Sequence, residues 1–184
     1  MVSIGGAGVM VLGGLVAAVV AVLFVLATQR RLGMVAAIAH AGLFWSVVAI
    51  GLVTLVPTEP GTGIVPADAR PVTCSWQYGG PSGAAFEVLG LDQRGLNVLL
   101  FVPAGLFLVL AAGRWRRGWL LAPVGLLGLA LYSLGIEFVQ LALARLDRAC
   151  DVTDMADNIL GAGLGFGLGL LMLPVARPWH ARPH

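Results

Sequence analysis

Long apolar runs separated by short polar clusters set the plan of this chain. Residues 5–28 carry no charge, and at 1.5 Å per residue such a run crosses about 30 Å of hydrocarbon. A second run covers residues 34–56, where Pro57 stops a helix because proline cannot continue the amide ladder. Three more follow at residues 95–113, 119–144 and 155–173. The pattern predicts an all-α fold: a polytopic membrane helix bundle with five transmembrane helices, forming a single domain over residues 1–184. No internal repeat or second soluble domain stands out. The first run is read as a spanning helix and not as a secretory signal, because it lacks a basic leader, exceeds the usual apolar stretch, and has no small-residue cleavage pattern before Gln29-Arg30-Arg31. The Pro- and Gly-rich stretch at residues 57–94 is longer than a plain connection needs, so it either covers the helix ends or acts as a spacer.

Composition sharpens this. Hydrophobic residues make up 59% of the chain and charged residues 11%, with mean hydropathy +0.94. A soluble domain carries about 25% charged residues, so one is excluded. All 11 basic residues are arginine, scattered through connections, and the net charge is only +2. Nucleic acid is therefore not an expected partner.

Charge also orients the bundle. Arg30, Arg31, Arg114, Arg116, Arg117, Arg177 and Arg182 fall at one end, and Arg70, Arg94, Arg145 and Arg148 at the other. The denser group is expected in the cytoplasm, which puts the N-terminus outside and the C-terminus in the cytoplasm. Every carboxylate, from Glu59 to Asp157, falls at the outer end. So do both cysteines, Cys74 and Cys150, in a compartment where disulfides persist; they are expected to be bonded, tying the long connection to the start of the fifth helix.

Polar residues inside the runs supply the candidate chemistry. Ser133, Glu137 and Gln140 share one face of the fourth helix, with Glu137 about two turns from its outer end. A carboxylate at membrane depth costs about 2.5–3.5 kcal/mol on insertion scales unless paired, wetted or protonated. Asn97 on the third helix, and Asp151, Asp154 and Asn158 at the start of the fifth, should lie at similar depth. One expectation is an outward-facing cleft in which desolvation raises the pKa of Glu137, so that Glu137 and Asp154 handle protons as catalytic groups. The other is a polar clasp that only fixes helix packing. No metal site and no cofactor are expected, since carboxylates without His or Cys at a helix start read more readily as a cap. Gly161, Gly165 and Gly169 form one small-residue row for close helix packing, within the chain and against the third or fourth helix; Gly163 and Gly167 form a second. A homo-oligomer is not indicated, although such rows would serve one. In the second helix, His40 is read as bonding a neighbouring helix in preference to carrying protons.

Three blocks together resemble the VanZ-like family of bacterial membrane proteins, named for a teicoplanin-resistance protein: NVLLFVPAGLF from Asn97 to Phe107, SLGIEFVQ from Ser133 to Gln140, and RACDVTDMADNILGAGLG from Arg148 to Gly165. The family pattern is met at Asn97, Phe101, Pro103 and Gly105; at Ser133, Glu137 and Gln140; and at Arg148, Asp151, Asp154, Asn158, Gly161 and Gly165. The gap before Arg148 is longer than the family's, leaving open whether Arg145 or Arg148 is the family arginine. Thr153 stands where many relatives have aspartate, and the cysteines are not part of the pattern. The resemblance implies a multi-pass protein of the bacterial cytoplasmic membrane, linked in some members to glycopeptide susceptibility, with no settled reaction. The expected ligand is a membrane lipid or a lipid-linked cell-envelope precursor, its headgroup met by Asn97, Ser133, Gln140, Asp151, Asn158 and an arginine, Arg145 or Arg148, that pairs with phosphate. The competing classes are a hydrolase or transferase acting on a lipid-linked substrate through Glu137 and Asp154, and a structural partner subunit of a membrane complex.

Overall fold

A computed structural model describes residues 6–57, 73–76, 93–143 and 150–179. Five helices run through them: α1 (Ala7–Leu32), α2 (Met34–Leu55), α3 (Gln93–Ala112), α4 (Gly118–Leu143) and α5 (Val152–Ala176). Each is long and apolar enough to cross a membrane. The fold is all-helical among the described residues, apart from one isolated parallel bridge between Ser75 and Asp151.

The helices outrun the apolar stretches where polar residues extend their ends. Helix α1 continues past residue 28 to Leu32, because Gln29, Arg30 and Arg31 are good helix formers and the arginines sit in its last turn, where the helix dipole favours cations. Gly33 alone separates α1 from α2, and its φ of 85° is a conformation glycine takes without strain. Its N–H still bonds the Gln29 carbonyl at 3.0 Å, so a single residue reverses the chain. Helix α3 starts at Gln93, two residues ahead of the apolar run, because Gln93 and Arg94 find partners on α5.

The core lies between α2, α3, α4 and α5, where Ile50, Phe101, Ala104, Leu108, Leu129, Ile136 and Ala162 are buried together. Helix α1 stands at the edge: Ala17 is its single buried residue, and it packs chiefly against α2. Helices α3 and α5 run parallel and touch backbone to backbone. A Cβ on Gly161 would strike the Val98 carbonyl, one on Gly165 the Val102 carbonyl, and one on Gly105 the Ala162 carbonyl. On Gly169 it would come within 2.7 Å of Val109 Cβ. The row expected to serve close packing within the chain thus meets α3. Gly163 and Gly167, by contrast, have open space around them.

At the opposite end from the carboxylates, Arg114 Nε donates to the Leu32 carbonyl at 3.0 Å, joining the α3–α4 connection to the α1–α2 turn. His40 does not bond a neighbouring helix as the sequence suggested. Its Nδ1 lies 2.7 Å from the Ala36 carbonyl of its own helix, and its ring stands edge-on to Trp115, centroids 6.3 Å apart.

Candidate functional site

The starts of α3 and α5 and the end of α4 bring polar side chains to one end of the bundle. Asp151 sets the start of α5: its backbone is extended, and its side-chain Oδ1 accepts from the Thr153 N–H at 2.8 Å, capping the helix. The residue expected to face a ligand is therefore also a structural cap. Asp154, in the first turn, accepts from Asn97 Nδ2 at 2.7 Å and from Gln93 Nε2 at 3.4 Å. A carboxylate there is also favoured by the helix dipole.

A forked ion pair, not singled out from the sequence, also joins α3 to α5. Arg94 reaches from α3 to Asp157 on α5 with both arms of its guanidinium, Nε to Oδ2 at 2.9 Å and Nη2 to Oδ1 at 3.1 Å. Asp157 is only 2% exposed. A forked pair of this kind is geometrically specific, and removing one partner of a buried pair costs about 3–5 kcal/mol. A signal was present: Arg94 precedes Asn97 by three residues, as Asp154 precedes Asp157, so both pairs share a helix face.

Helix α4 supplies the inner wall. Ser133, Glu137 and Gln140 are all buried, Glu137 at 2% exposure. Glu137 Oε2 accepts from the Asp151 N–H at 3.1 Å, fastening the carboxylate to the first residue of the α5 cap. Asn158 Nδ2 donates to Ser133 Oγ at 3.1 Å, and Gln140 Nε2 donates to the Thr54 carbonyl at the end of α2, at 3.0 Å. Asn97, Ser133, Glu137, Gln140, Asp154 and Asn158 thus form one polar seam. Among the described residues, two buried acceptors in it have no partner, Gln140 Oε1 and Asn158 Oδ1. Each unmet buried acceptor costs about 1–3 kcal/mol.

A strap of chain lies against this end. Cys74 and Cys150 form a disulfide, as expected from their shared end of the bundle, closing a sequence separation of 76 residues. Beside it, Ser75 N–H donates to the Cys150 carbonyl at 2.9 Å, and the Val152 N–H donates to the Ser75 carbonyl at 3.1 Å. The long connection is thereby fixed to the cap of α5 at residues 73–76. Arg145 and Arg148 lie outside the described residues. Among the described residues no group of three His, Cys, Asp or Glu side chains stands together as metal ligands.

Five membrane-spanning helices with a polar seam at one end define a multi-pass membrane protein. The chain belongs to the VanZ/LLP1 family, whose profile matches residues 15–173, from the middle of α1 to the last turns of α5. Neither a curated protein nor a solved structure matches it.

Proposed function

We propose that this VanZ/LLP1-family protein sits in a bacterial cytoplasmic membrane with its N-terminus outside and binds the headgroup of a lipid or lipid-linked envelope precursor in the polar seam. The observation that carries the reading is the convergence of Asn97, Glu137, Asp154 and Asn158 from three helices on one end of an otherwise apolar bundle. Intramembrane carboxylates of this kind commonly mark a ligand site. Among the described residues, six arginines at the opposite end support the orientation by the positive-inside rule. In this reading Arg145 or Arg148 pairs with an anionic part of the ligand, and occupancy alters how glycopeptides such as teicoplanin reach the envelope.

A second reading, a clasp that only holds the helices together, draws on the side-chain pairs Asn158–Ser133 and Arg94–Asp157, which close the seam from within. The hydrolase or transferase reading is less well supported. Glu137 is fastened to the α5 cap, whereas Asp154 is held by Asn97 and Gln93. Native mass spectrometry with lipid analysis separates the readings, using wild type beside Glu137→Gln and Arg148→Ala. A specific lipid that co-purifies with wild type and is lost from folded variants is expected. Equal folding with no specific lipid in any sample would favour the clasp.

A further inference from the structure

Helices α1 and α3 both pack on α2, and an apolar groove runs between them. Its floor is α2, which presents the small residues Ala41 and Gly42 there. Ala18, Ala21 and Leu26 of α1 form one wall, and Phe107 of α3 stands on the other side. Phe107 rests on the floor itself: a Cβ on Gly42 would come within 2.7 Å of its ring. The groove measures about 570 Å³, within the range of roughly 300–1,000 Å³ that holds a whole small ligand. All its lining side chains are aliphatic or aromatic, and the one polar group among them, Trp45 Nε1, is spent on the Gly14 carbonyl at 3.2 Å. Such a surface suits a hydrocarbon chain and offers nothing to a polar group. It shares no residue with the polar seam, which lies at the opposite end of the bundle.

The groove has a closed end and a charged end. The Trp45 bond to Gly14 ties α2 to α1 one turn beyond Ala18 and stops the groove there. In the other direction Val22, Leu26 and Arg30 follow at steps of four along one row of α1. Arg114 comes seven residues after Phe107, just past the end of α3, and its Nε is held by the Leu32 carbonyl at the end of α1. That bond spends one of the five donors of the guanidinium. Both sides of the groove thus lead to an arginine. Among the described residues neither Arg30 nor Arg114 is in an ion pair, and the four carboxylates, Glu137, Asp151, Asp154 and Asp157, lie at the other end. Trp115 and Trp119, both exposed, stand beside Arg114 and mark this end as a membrane interface. Ala18 and Arg30 are twelve residues apart, about 18 Å along the helix, close to the roughly 15 Å of one leaflet of hydrocarbon. We propose that the groove holds one acyl chain of an anionic phospholipid from that leaflet, with its phosphate paired to Arg30 and Arg114. The chain then completes the packing of α1, which buries only Ala17 within the protein.

The test titrates the full-length protein in detergent with phosphatidylglycerol and, separately, with phosphatidylcholine of the same acyl chains, reading retained lipid by native mass spectrometry. Wild type is expected to favour phosphatidylglycerol by about tenfold, the scale of one charge-assisted hydrogen bond. Arg30→Gln removes a charge that no bond within the protein uses and should cut that preference to about threefold or less. Ala21→Phe fills the groove without touching either arginine and should weaken phosphatidylglycerol binding at least about fivefold. Leu23→Phe, on another face of α1, should change it by less than about twofold. Thermal melting checks folding, and Ala18→Phe replaces Ala21→Phe if the latter does not fold. Equal binding of the two lipids to wild type, or a preference unchanged in Arg30→Gln, would overturn the phosphate pairing and with it the proposal. A preference lost in Arg30→Gln while both folded groove-filling variants bind as wild type would mean attraction at the membrane surface with the groove empty of lipid. An equal loss in Leu23→Phe would make the site the general surface of α1 and overturn the groove. Loss in Glu137→Gln but not in Ala21→Phe would assign the lipid to the polar seam instead. A wild-type dimer that Ala21→Phe converts to monomer would seat a second copy of the chain in the groove and overturn the lipid assignment.

Discussion

Helix α1 and helix α5 are of nearly equal length, 26 and 25 residues, yet they are built on opposite plans. Helix α1 exposes Leu12, Leu15, Val16, Val19, Val22, Leu23 and Leu26 and buries only Ala17. Helix α5 buries Thr153, Asp157, Asn158, Gly161, Ala162, Gly165 and Gly169, all of them small or polar. In water the first list would be the core and the second the surface. In lipid the tails are as apolar as leucine, so nothing drives leucines together, and association falls to close packing and polar contacts. The contrast shows that α5 is held by the residues that look least hydrophobic, whereas the leucines and valines of α1 face outward.

The sharpest way to break that comparison is to add bulk to the two glycine rows of α5. Gly165→Leu would drive its side chain into the Val102 carbonyl and the Leu106 backbone of α3. Backbone on a packed helix cannot step aside as a side-chain tip can, so a loss of at least about 3 kcal/mol is expected, at or beyond the upper end of ordinary overpacking. Gly163→Leu, two residues away, meets open space and should change stability by less than about 0.5 kcal/mol. Reversible unfolding in mixed micelles with a denaturing detergent measures both. Equal losses at the two positions would mean that the α3–α5 contact does not hold the bundle together.

These two glycines also mark what could be read from the sequence. Five apolar runs gave the five helices to within a few residues, because bilayer thickness imposes a length that no packing detail overrides. The start of α5 was equally legible, since Asp151 can cap it and Asn158 and Gly161 then share a face. The cysteine pair followed from topology. The choice of Arg94 as the partner of Asp157 did not follow, because Arg94 reads as a loop residue until α3 is known to begin at Gln93. Nor did the tie between Glu137 and the Asp151 N–H, as a backbone donor leaves no mark in a sequence. The bond of His40 to its own helix was hidden for a related reason: any residue four back along a helix offers a carbonyl.

A second, somewhat smaller effect tests the polar side of the comparison. Asp157→Asn leaves the Arg94 guanidinium facing a neutral amide, and a loss of about 3 kcal/mol is expected, the low end for a broken buried pair because Arg94 is 36% exposed and water can still reach it. The double variant Arg94→Met with Asp157→Leu should recover at least half of that loss, since a buried ion pair is often matched by apolar residues of similar size. The same detergent titration on Arg94→Met, Asp157→Leu and the double variant, arranged as a double-mutant cycle, gives the coupling between the two sites. If the double variant is worse than Asp157→Asn alone, Arg94 makes a stabilising contribution beyond this pair.

The smallest effect belongs to α1. Leu15 and Leu23 are 59% and 60% exposed, on a helix whose neighbours lie mostly on one side. Leu→Ala in a water-soluble core costs about 2–5 kcal/mol because a cavity and lost burial add together. Here neither term applies at full strength: lipid tails fill the space, and the leucine was never withdrawn from a comparable apolar medium. Leu15→Ala and Leu23→Ala should therefore each cost less than about 0.5 kcal/mol. Trp45 offers a control, because its Nε1 donates across to the Gly14 carbonyl at 3.2 Å and is a specific bond between α1 and α2. Trp45→Phe keeps the ring bulk and removes that donor, for an expected loss of about 0.5–1.5 kcal/mol. A leucine variant more harmful than Trp45→Phe would mean that α1 is held by its apolar surface after all, through a partner seated on its exposed face.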